Sequence, residues 1–312
     1  MQNDTEDCFS SAAHFQKSME MRKNNRPSWK DLLKRDSPLQ LPAAHDALTA
    51  KLIERAGFSA YQIGGFALTG ARHCIPDIDL MRFAEQAAGV RDIVSACSLP
   101  VLVDADDGYG DAKNVTHTVQ SYEGMGVSAI FLEDQVSPKR CGHMAGKQVV
   151  PVDVMKAKLK AAVAARESSD FFIVARTDAR EPEGLDAALK RAEHYIKSGV
   201  DGIYIEAPKS EKELEKIGKA FKGVPQMTNM FEGDDETPLL SPKELHKLGF
   251  SIILYPTTLL FRLVRSLEQA LQELQAGKPT PKGEGVSLKE YEQIVGLPQW
   301  AEIENRFQAR EK

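Results

Sequence analysis

From residue 38 onward the chain alternates short strand-like segments with longer helical ones, and no other feature constrains its fold as strongly. Eight segments of five or six residues are rich in hydrophobic and β-branched residues, as buried strands usually are. They span residues 38–42, 59–63, 100–104, 128–133, 171–176, 201–206, 224–229 and 250–255. Strands that alternate with helices form parallel sheets, so eight such units predict an α/β fold of the (β/α)₈ TIM-barrel type. A doubly wound open sheet is the alternative, although no predicted strand precedes the GxGxxG signature of its dinucleotide-binding form.

Helical patterns fill the connections between these strands. The clearest ones cover residues 47–56, 81–96, 152–166, 185–197 and 210–221. Four helix-to-strand junctions share a glycine followed by an apolar residue: Gly57-Phe58, Gly126-Val127, Gly199-Val200 and Gly249-Phe250. Glycine tolerates the left-handed conformation that ends a helix, and the apolar residue then begins the next strand. These junctions therefore support the repeating unit.

The two ends of the chain do not follow the repeat. The first 37 residues are polar and in places basic, which predicts a mobile arm with a short helix around Trp29–Leu33. After the eighth strand, residues 259–274 form an amphipathic pattern, and a Gly/Pro/Lys-rich linker leads to a further helix over 288–310. We predict three regions: the arm 1–37, the barrel 38–277, and the linker with a helical tail 278–312.

Composition excludes several classes of function. A net charge of −5 argues against non-specific binding to nucleic acids or anionic membranes. No apolar stretch approaches the roughly 18 residues of a membrane-spanning helix, and residues 1–37 lack the apolar core of a signal peptide. The four cysteines have no CxxC spacing, so a reducing cytoplasm is expected. They are Cys8, Cys74, Cys97 and Cys141.

Polar residues stand where the predicted strands end. Asp104, Asp106 and Asp107 follow the third strand, and three carboxylates so close together resist desolvation unless a cation compensates them. The next four strands also end in polar residues: Glu133-Asp134, Arg176-Thr177-Asp178, Glu206 and Asn229. A single polar residue there is usually a helix cap, but five consecutive cases indicate an active site at the carboxyl ends of the strands. Carboxylates with one arginine suit a hard cation and a carboxylate-bearing substrate.

The connection from Gln135 to Val150 is much longer than the usual 2–6 residues, which predicts a lid. Cys141 lies in it beside Lys139, Arg140 and His143, and positive neighbours would favour its thiolate. A loop cysteine next to a solvated basic patch is an equally good interpretation. Gly142 and Gly146 would let such a loop hinge.

Two weaker signals lie nearer the amino terminus. Gly64-Gly65-Phe66 exposes backbone N–H groups that could hold an anionic oxygen, although a tight turn explains the glycines as well. Asp77 presents a carboxylate in a constrained turn after Pro76, which is ambiguous by itself.

Together, five ordered motifs resemble the isocitrate lyase/phosphoenolpyruvate mutase superfamily over about residues 42–275. They are Lys139–His143, which resembles the K-[KR]-C-G-H signature of the lyase branch, Asp104–Gly110, Glu133–Gln135, Ala175–Ala179 and Ile205–Ala207. The resemblance implies a (β/α)₈ barrel whose eighth helix swaps between subunits, a homotetramer, and a Mg²⁺ site that Mn²⁺ could also fill.

The resemblance also implies roles for individual residues. Those expected at the metal are Asp104, Asp106, Glu133 and Asp77. Those expected to act in catalysis are Cys141 as the general acid, Arg176 as the clamp of the substrate carboxylate, Glu206 and His143. Those expected to bind substrate are Gly64, Gly65, Phe66, Arg176, Asn229, Gly142 and His143.

The motif Asn229–Gly233, followed by Thr237-Pro238, is similar to the group that contains 2,3-dimethylmalate lyase, petal death protein and carboxyphosphonoenolpyruvate phosphonomutase. It implies a carbon–carbon lyase of a small 2-hydroxy dicarboxylate, such as a substituted malate or hydrated oxaloacetate. The alternatives are a carbon–phosphorus mutase acting on a phosphonate, a 2-methylisocitrate lyase acting on a tricarboxylate, and a non-catalytic diacid-binding protein. Three departures from the family pattern motivate the phosphonate substrate and the non-catalytic alternative: Gly64 in place of Ser or Thr, Arg72-His73, and the acidic run 234–236.

Overall fold

A computed structural model describes residues 26–233, 238–281 and 283–307. Eight parallel strands lie in the order β1-β8-β7-β6-β5-β4-β3-β2. The ends of this row also meet, because Ala43 pairs with Gln62 and the amide of Ala44 donates to the Gln62 carbonyl at 2.8 Å. The predicted (β/α)₈ barrel is therefore confirmed, and the open-sheet alternative is wrong. The strands are β1 Leu39–Pro42, β2 Tyr61–Ile63, β3 Val101–Asp104, β4 Ala129–Glu133, β5 Phe172–Thr177, β6 Gly202–Ile205, β7 Gln226–Asn229 and β8 Ile252–Tyr255.

Helices connect the strands, and every predicted helix between two strands is present within two residues of its expected ends. The helices are α1 Trp29–Arg35, α2 Ala47–Arg55, α3 Gly65–His73, α4 Phe83–Ala96, α5 Ala112–Gly124, α6 Val152–Ala165, α7 Arg180–Glu183, α8 Leu185–Ile196, α9 Glu211–Ala220, α10 Pro242–Leu248, α11 Thr258–Gln275, α12 Leu288–Ile294 and α13 Leu297–Phe307. The four junction glycines have φ between +84° and +115°, as a left-handed helix end requires.

Side chains alternate along each strand between two hydrophobic clusters. One cluster fills the barrel interior with residues such as Leu102, Phe131 and Val174, and the other packs between strands and helices. Successive side chains of a strand point to opposite faces, so residues two positions apart share a face. Asp104, Glu133, Arg176 and Asn229 each lie two residues after a member of the interior cluster. The interior thus changes from apolar to ionic at the carboxyl ends of the strands.

The short helix predicted near Trp29 is present as α1. Trp29 and Leu32 are buried in the interior cluster, and the Trp29 ring stacks on Phe172 at 5.9 Å between ring centroids. Residues 26–37 of the predicted arm therefore pack against the barrel. Residues 1–25 of that arm lie outside the described residues, and the boundary at residue 37 stays a prediction.

The chain divides into two compact units, residues 1–259 and 260–312. In the second unit, the predicted helix over 288–310 is divided into α12 and α13 at Gly296, whose φ of +79° no helix interior accepts. Apolar side chains of α11 are exposed, among them Leu267, Leu271 and Leu274. Within the described ranges, no helix has the length and apolarity to cross a bilayer.

Candidate active site

One cavity opens where the carboxyl ends of the strands meet. All the predicted site residues line it except Asp106 and Glu133, which are buried beside it. The lining residues are Gln62, Gly64, Gly65, Phe66, Ala67, Asp77, Asp104, Phe131, Cys141, Gly142, His143, Arg176, Tyr204, Glu206, Asn229, Phe231, Leu254 and Pro256. Loops more than 150 residues apart in sequence thus form a single site.

Arg176 lies at the centre of the polar side of the cavity. Its guanidinium donates two hydrogen bonds to Asp178, at 2.8 and 3.0 Å, and the ring of Tyr204 faces it at 5.4 Å. Glu133 and Glu206 lie 3.4 and 3.7 Å from the same group. Asp178 is fully buried and stands in the motif after β5, but sequence reasoning gave it no role. The fork geometry holds the arginine in one orientation, which a carboxylate clamp requires.

Glu206 is the charged partner of two further predicted residues. Its Oε1 lies 3.2 Å from His143 Nε2 and accepts a hydrogen bond from Asn229 Nδ2 at 3.1 Å. Burial by itself would raise the pKa of Glu206, but Arg176 and His143 outweigh it and hold that pKa well below its usual range. Glu206 is therefore ionised at neutral pH and orients the groups around it.

Lys139 lies among the predicted metal ligands. Its Nζ is 2.6 Å from both Asp77 and Asp106, and the side chain is almost fully buried. Burial raises the pKa of Asp106 to about 7 and raises the pKa of Glu133 well above its usual value. Asp107, the third carboxylate of the predicted cluster, turns away and pairs with Lys158 at 3.2 Å. The single ammonium of Lys139 thus neutralises only part of the negative charge that Asp77, Asp106 and Glu133 would carry when ionised.

These carboxylates fit a hard divalent cation. Within the described parts of the chain, no three His, Cys, Asp or Glu side chains already converge as a ligand set. Mg²⁺ nevertheless keeps several waters and is usually held by one or two carboxylates together with the substrate. Glu133 Oε1 is buried and has no hydrogen-bond partner in the described part of the chain. Asp104 and Asp77 face the cavity, so the residues present can receive such an ion.

The backbone near Gly64 differs from the predicted tight turn. Gly64 precedes α3 and Gly65 begins it. The amide of Gly65 lies 3.4 Å from Asp104 Oδ2, to which it donates. Arg72, at the other end of α3, is exposed, pairs with Asp92 at 3.5 Å and does not line the cavity. Arg72 therefore brings no positive charge to the described lining of the cavity.

The predicted lid, residues 135–150, is closed over the cavity. Lys147 is buried, lies 3.2 Å from Asp178 and donates to the Gly142 carbonyl. The Cys141 amide donates to the Asp77 carbonyl at 3.0 Å. A Cβ at Gly142 would lie 2.5 Å from Arg176 Nη2, so only glycine allows this approach of the lid backbone. The lid and the arginine clamp therefore contact each other directly.

Cys141 is buried in the closed lid with 9% of its surface exposed. Burial raises the pKa of its thiol to about 11, and the carboxylates of Asp77 and Glu206 act in the same direction. The expectation of a favoured thiolate is therefore wrong, because Arg140 points to solvent and Lys139 is held by carboxylates. At neutral pH the sulfur carries its proton, as a proton donor must.

Apart from Phe66, the sequence-based predictions do not include the residues on the apolar side of the cavity. Phe231 stacks on the His143 ring at 3.9 Å between centroids and contacts the edge of Phe66 at 6.4 Å. Leu254 and Pro256, which belong to β8 or follow it, line the same side. The strand-end argument could have found Phe231, because it follows β7 by two residues. Only polar residues at the carboxyl ends of the strands were considered in that argument.

Residues 29–275 match the family described as phosphoenolpyruvate phosphomutase. The chain is 39% identical to 2,3-dimethylmalate lyase of Eubacterium barkeri, covering 91% of this chain and 98% of the relative. It is 39% identical to the chloroplastic carboxyvinyl-carboxyphosphonate phosphorylmutase of Arabidopsis thaliana, covering 88% and 83%. It is 42% identical to 2-methylisocitrate lyase of Bacillus subtilis (strain 168), covering 74% and 75%.

Solved structures share the fold. Oxaloacetate acetylhydrolase in complex with 3,3-difluorooxalacetate superposes with a TM-score of 0.84 at 28% identity, covering 89% of this chain and 95% of that chain. Phosphonopyruvate hydrolase in complex with oxalate and Mg²⁺ superposes with a TM-score of 0.80 at 28% identity, covering 89% and 97%.

Proposed function

This chain belongs to the phosphoenolpyruvate phosphomutase family, and from that premise we propose that it is a carbon–carbon lyase of a small 2-hydroxy dicarboxylate. The substrate would be a substituted malate or hydrated oxaloacetate, and the products a 2-oxo acid or oxalate together with a carboxylate. The observation that carries the proposal is the position of Cys141, which is buried in the closed lid and lines the same cavity as Arg176. Relatives named as lyases of dimethylmalate and methylisocitrate support it.

The proposal includes Mg²⁺, with Mn²⁺ as the alternative ion. Asp104, Asp106, Asp77 and Glu133 would hold it directly or through water. When bound, such an ion polarises the substrate's oxygens and eases loss of the hydroxyl proton.

The protein's own residues would then act on the two ends of the substrate. Arg176, fixed by Asp178, would bind a substrate carboxylate, while Glu206 and Asn229 hold the neighbouring oxygens. As the deprotonated hydroxyl oxygen on C2 becomes a carbonyl oxygen of the product, the C2–C3 bond breaks and leaves its electron pair on C3, next to a carboxylate that stabilises the carbanion. Cys141 would transfer its thiol proton to C3, and the closed lid would keep water from competing.

Replacing Cys141 with alanine tests this role. We expect kcat to fall by about 10²–10⁴-fold while the affinity for the diacid stays within a few-fold, because only the proton donor is lost. The assay measures the 2-oxo acid or oxalate formed from 2,3-dimethylmalate, 2-methylmalate, oxaloacetate and 2-methylisocitrate. Cys74→Ala, at an exposed cysteine, is the control. Full activity in Cys141→Ala, or in wild-type enzyme in excess EDTA, would contradict the mechanism.

A carbon–phosphorus mutase is the second candidate. The 39% identity with the Arabidopsis thaliana phosphorylmutase favours it, because that value equals the identity with the dimethylmalate lyase. Phosphorus NMR of a reaction with carboxyphosphonoenolpyruvate distinguishes the two. A new carbon–phosphorus resonance selects the mutase, and its absence alongside diacid cleavage selects the lyase.

The assembly and the compartment are part of the proposal as well. Exposed leucines on α11 support a homotetramer in which the eighth barrel helix is exchanged between subunits. Cytoplasmic localisation rests on the cysteine pattern of the sequence.

A further inference from the structure

The cavity has one apolar side, and its two aromatic rings come from different strand ends. Phe66 lies in the first turn of α3, and Phe231 lies in the loop after β7. The Phe231 ring is parallel to the His143 imidazole within 18°, at 3.9 Å between centroids, and meets Phe66 edge-on. Two contacts on different elements hold the Phe231 ring in place, so it presents a shaped surface to a ligand.

The fixed positive charge of the cavity is already surrounded by carboxylates. Arg176 is the one Lys or Arg among the described residues that line the cavity, and three carboxylates already surround it. An alkyl group placed against Phe66 and Phe231 would leave water at no electrostatic cost. A carboxylate in the same place would lose its hydration, and the His143 ring beside Phe231 is already paired with Glu206 at 3.2 Å.

Resting on the proposed function, we propose that Phe231, together with Phe66, determines specificity for diacids that carry an alkyl substituent. The same apolar side of the cavity excludes acids with a third carboxylate. Selection thus works in both directions, because one surface attracts a methyl group and repels a charge. The residue acts on binding and takes no part in proton transfer.

Titration calorimetry in the Cys141→Ala background measures this selection without turnover. With Mg²⁺ present, we expect 2,3-dimethylmalate to bind about fifteenfold more tightly than malate, since each of its two buried methyl groups contributes about fourfold. Both diacids should bind at least tenfold more tightly than 2-methylisocitrate. Phe231→Ser should reduce the dimethylmalate preference to within about twofold while malate affinity changes by less than twofold.

Three variants complete the experiment. Phe231→Leu keeps an apolar side chain and should retain most of the preference, and Phe66→Ser should weaken it in the same direction as Phe231→Ser. Phe307→Ser removes a phenylalanine that is 72% exposed and does not line the cavity, so it should change nothing. Thermal unfolding confirms that each variant is folded.

The possible failures are distinguishable. If malate and dimethylmalate bind with equal affinity, or if the preference survives Phe231→Ser in a folded protein, the inference about Phe231 is wrong and the proposed function stands. Tight binding of 2-methylisocitrate also overturns the inference. If none of the three acids binds, the proposed function itself fails.

Discussion

Asp106 shows how the fold can hold one carboxylate where its charge is disfavoured. The side chain is 3% exposed, and the ammonium of Lys139 at 2.6 Å is shared with Asp77. Burial is the largest influence on its pKa, which rises to about 7. A residue held in this state is more often functional than structural, which agrees with its proposed place at the metal.

This shift predicts a pH-dependent stability. The folded protein binds the Asp106 proton more tightly than the unfolded chain does, so this group's contribution to the free energy of unfolding falls as pH rises from about 4 to about 7. Urea unfolding in EDTA should show wild type losing stability relative to Asp106→Asn between pH 5 and pH 8, by a few kcal/mol at most. Equal pH dependence in the two proteins would contradict the assignment.

The lid is an element whose closed position depends on two buried lysines on either side of Cys141. Lys139 pairs with Asp77 and Asp106, and Lys147 pairs with Asp178, which also holds Arg176. Removing one partner of a buried ion pair is strongly destabilising, by about 3–5 kcal/mol. When one of these ion pairs is lost, local opening of the lid exposes the unpaired charge to water at the lowest cost in free energy.

Replacing Lys147 with methionine should therefore expose the Cys141 thiol. We expect iodoacetamide at pH 8 to alkylate Cys141 at least tenfold faster in Lys147→Met than in wild type, as measured by mass spectrometry of the cysteine peptides. The exposed Cys74 provides an internal reference whose rate should not change. Lys156→Met, which breaks a surface pair with Asp153, is the matched control. An unchanged Cys141 rate would show that Lys147 does not hold the lid.

Helix packing on the barrel surface depends on one close contact. A Cβ at Gly218 of α9 would lie 1.9 Å from the Leu248 carbonyl at the end of α10, whereas one at Gly124 of α5 would meet nothing within 4 Å. Gly218→Ala should cost about 1–3 kcal/mol of unfolding free energy, and Gly124→Ala should add about 0.5–1 kcal/mol. Urea unfolding measures both. Equal effects of the two substitutions would contradict this account.

At the scale of the whole molecule, the exposed face of α11 is the main unexplained surface. Leu267, Leu271 and Leu274 are spaced as one side of a helix and are 53%, 62% and 65% exposed. Contiguous apolar surface of this kind usually marks an interface.

We expect light scattering after size exclusion to give four times the mass of one chain. Leu267→Lys with Leu271→Lys should lower that mass, because a lysine ammonium is costly to bury in a subunit contact. Gln272→Lys, on the polar side of the same helix, should leave it unchanged. A single-chain mass for the wild-type protein would overturn the proposed assembly.

The sequence by itself determined the eight strands, the helices between them, and most residues at the carboxyl ends of the strands. These features follow from local patterns, such as the period of two, the period of 3.6 and glycine at helix ends, so they need no knowledge of distant neighbours. The division of the tail helix at Gly296 and the start of α3 at Gly65 were missed because a glycine fits a turn, a cap or a helix equally well.

Only the tertiary structure decided which groups meet. Lys139 and Asp77 are 62 positions apart, so no local pattern predicts that the Lys139 ammonium pairs with this carboxylate. The raised pKa of that thiol depends on burial by a closed lid, and the apolar wall depends on Phe66 and Phe231 arriving from opposite parts of the chain. The burial and the local charge of a site depend on all the elements around it, so they are set only when the barrel has closed.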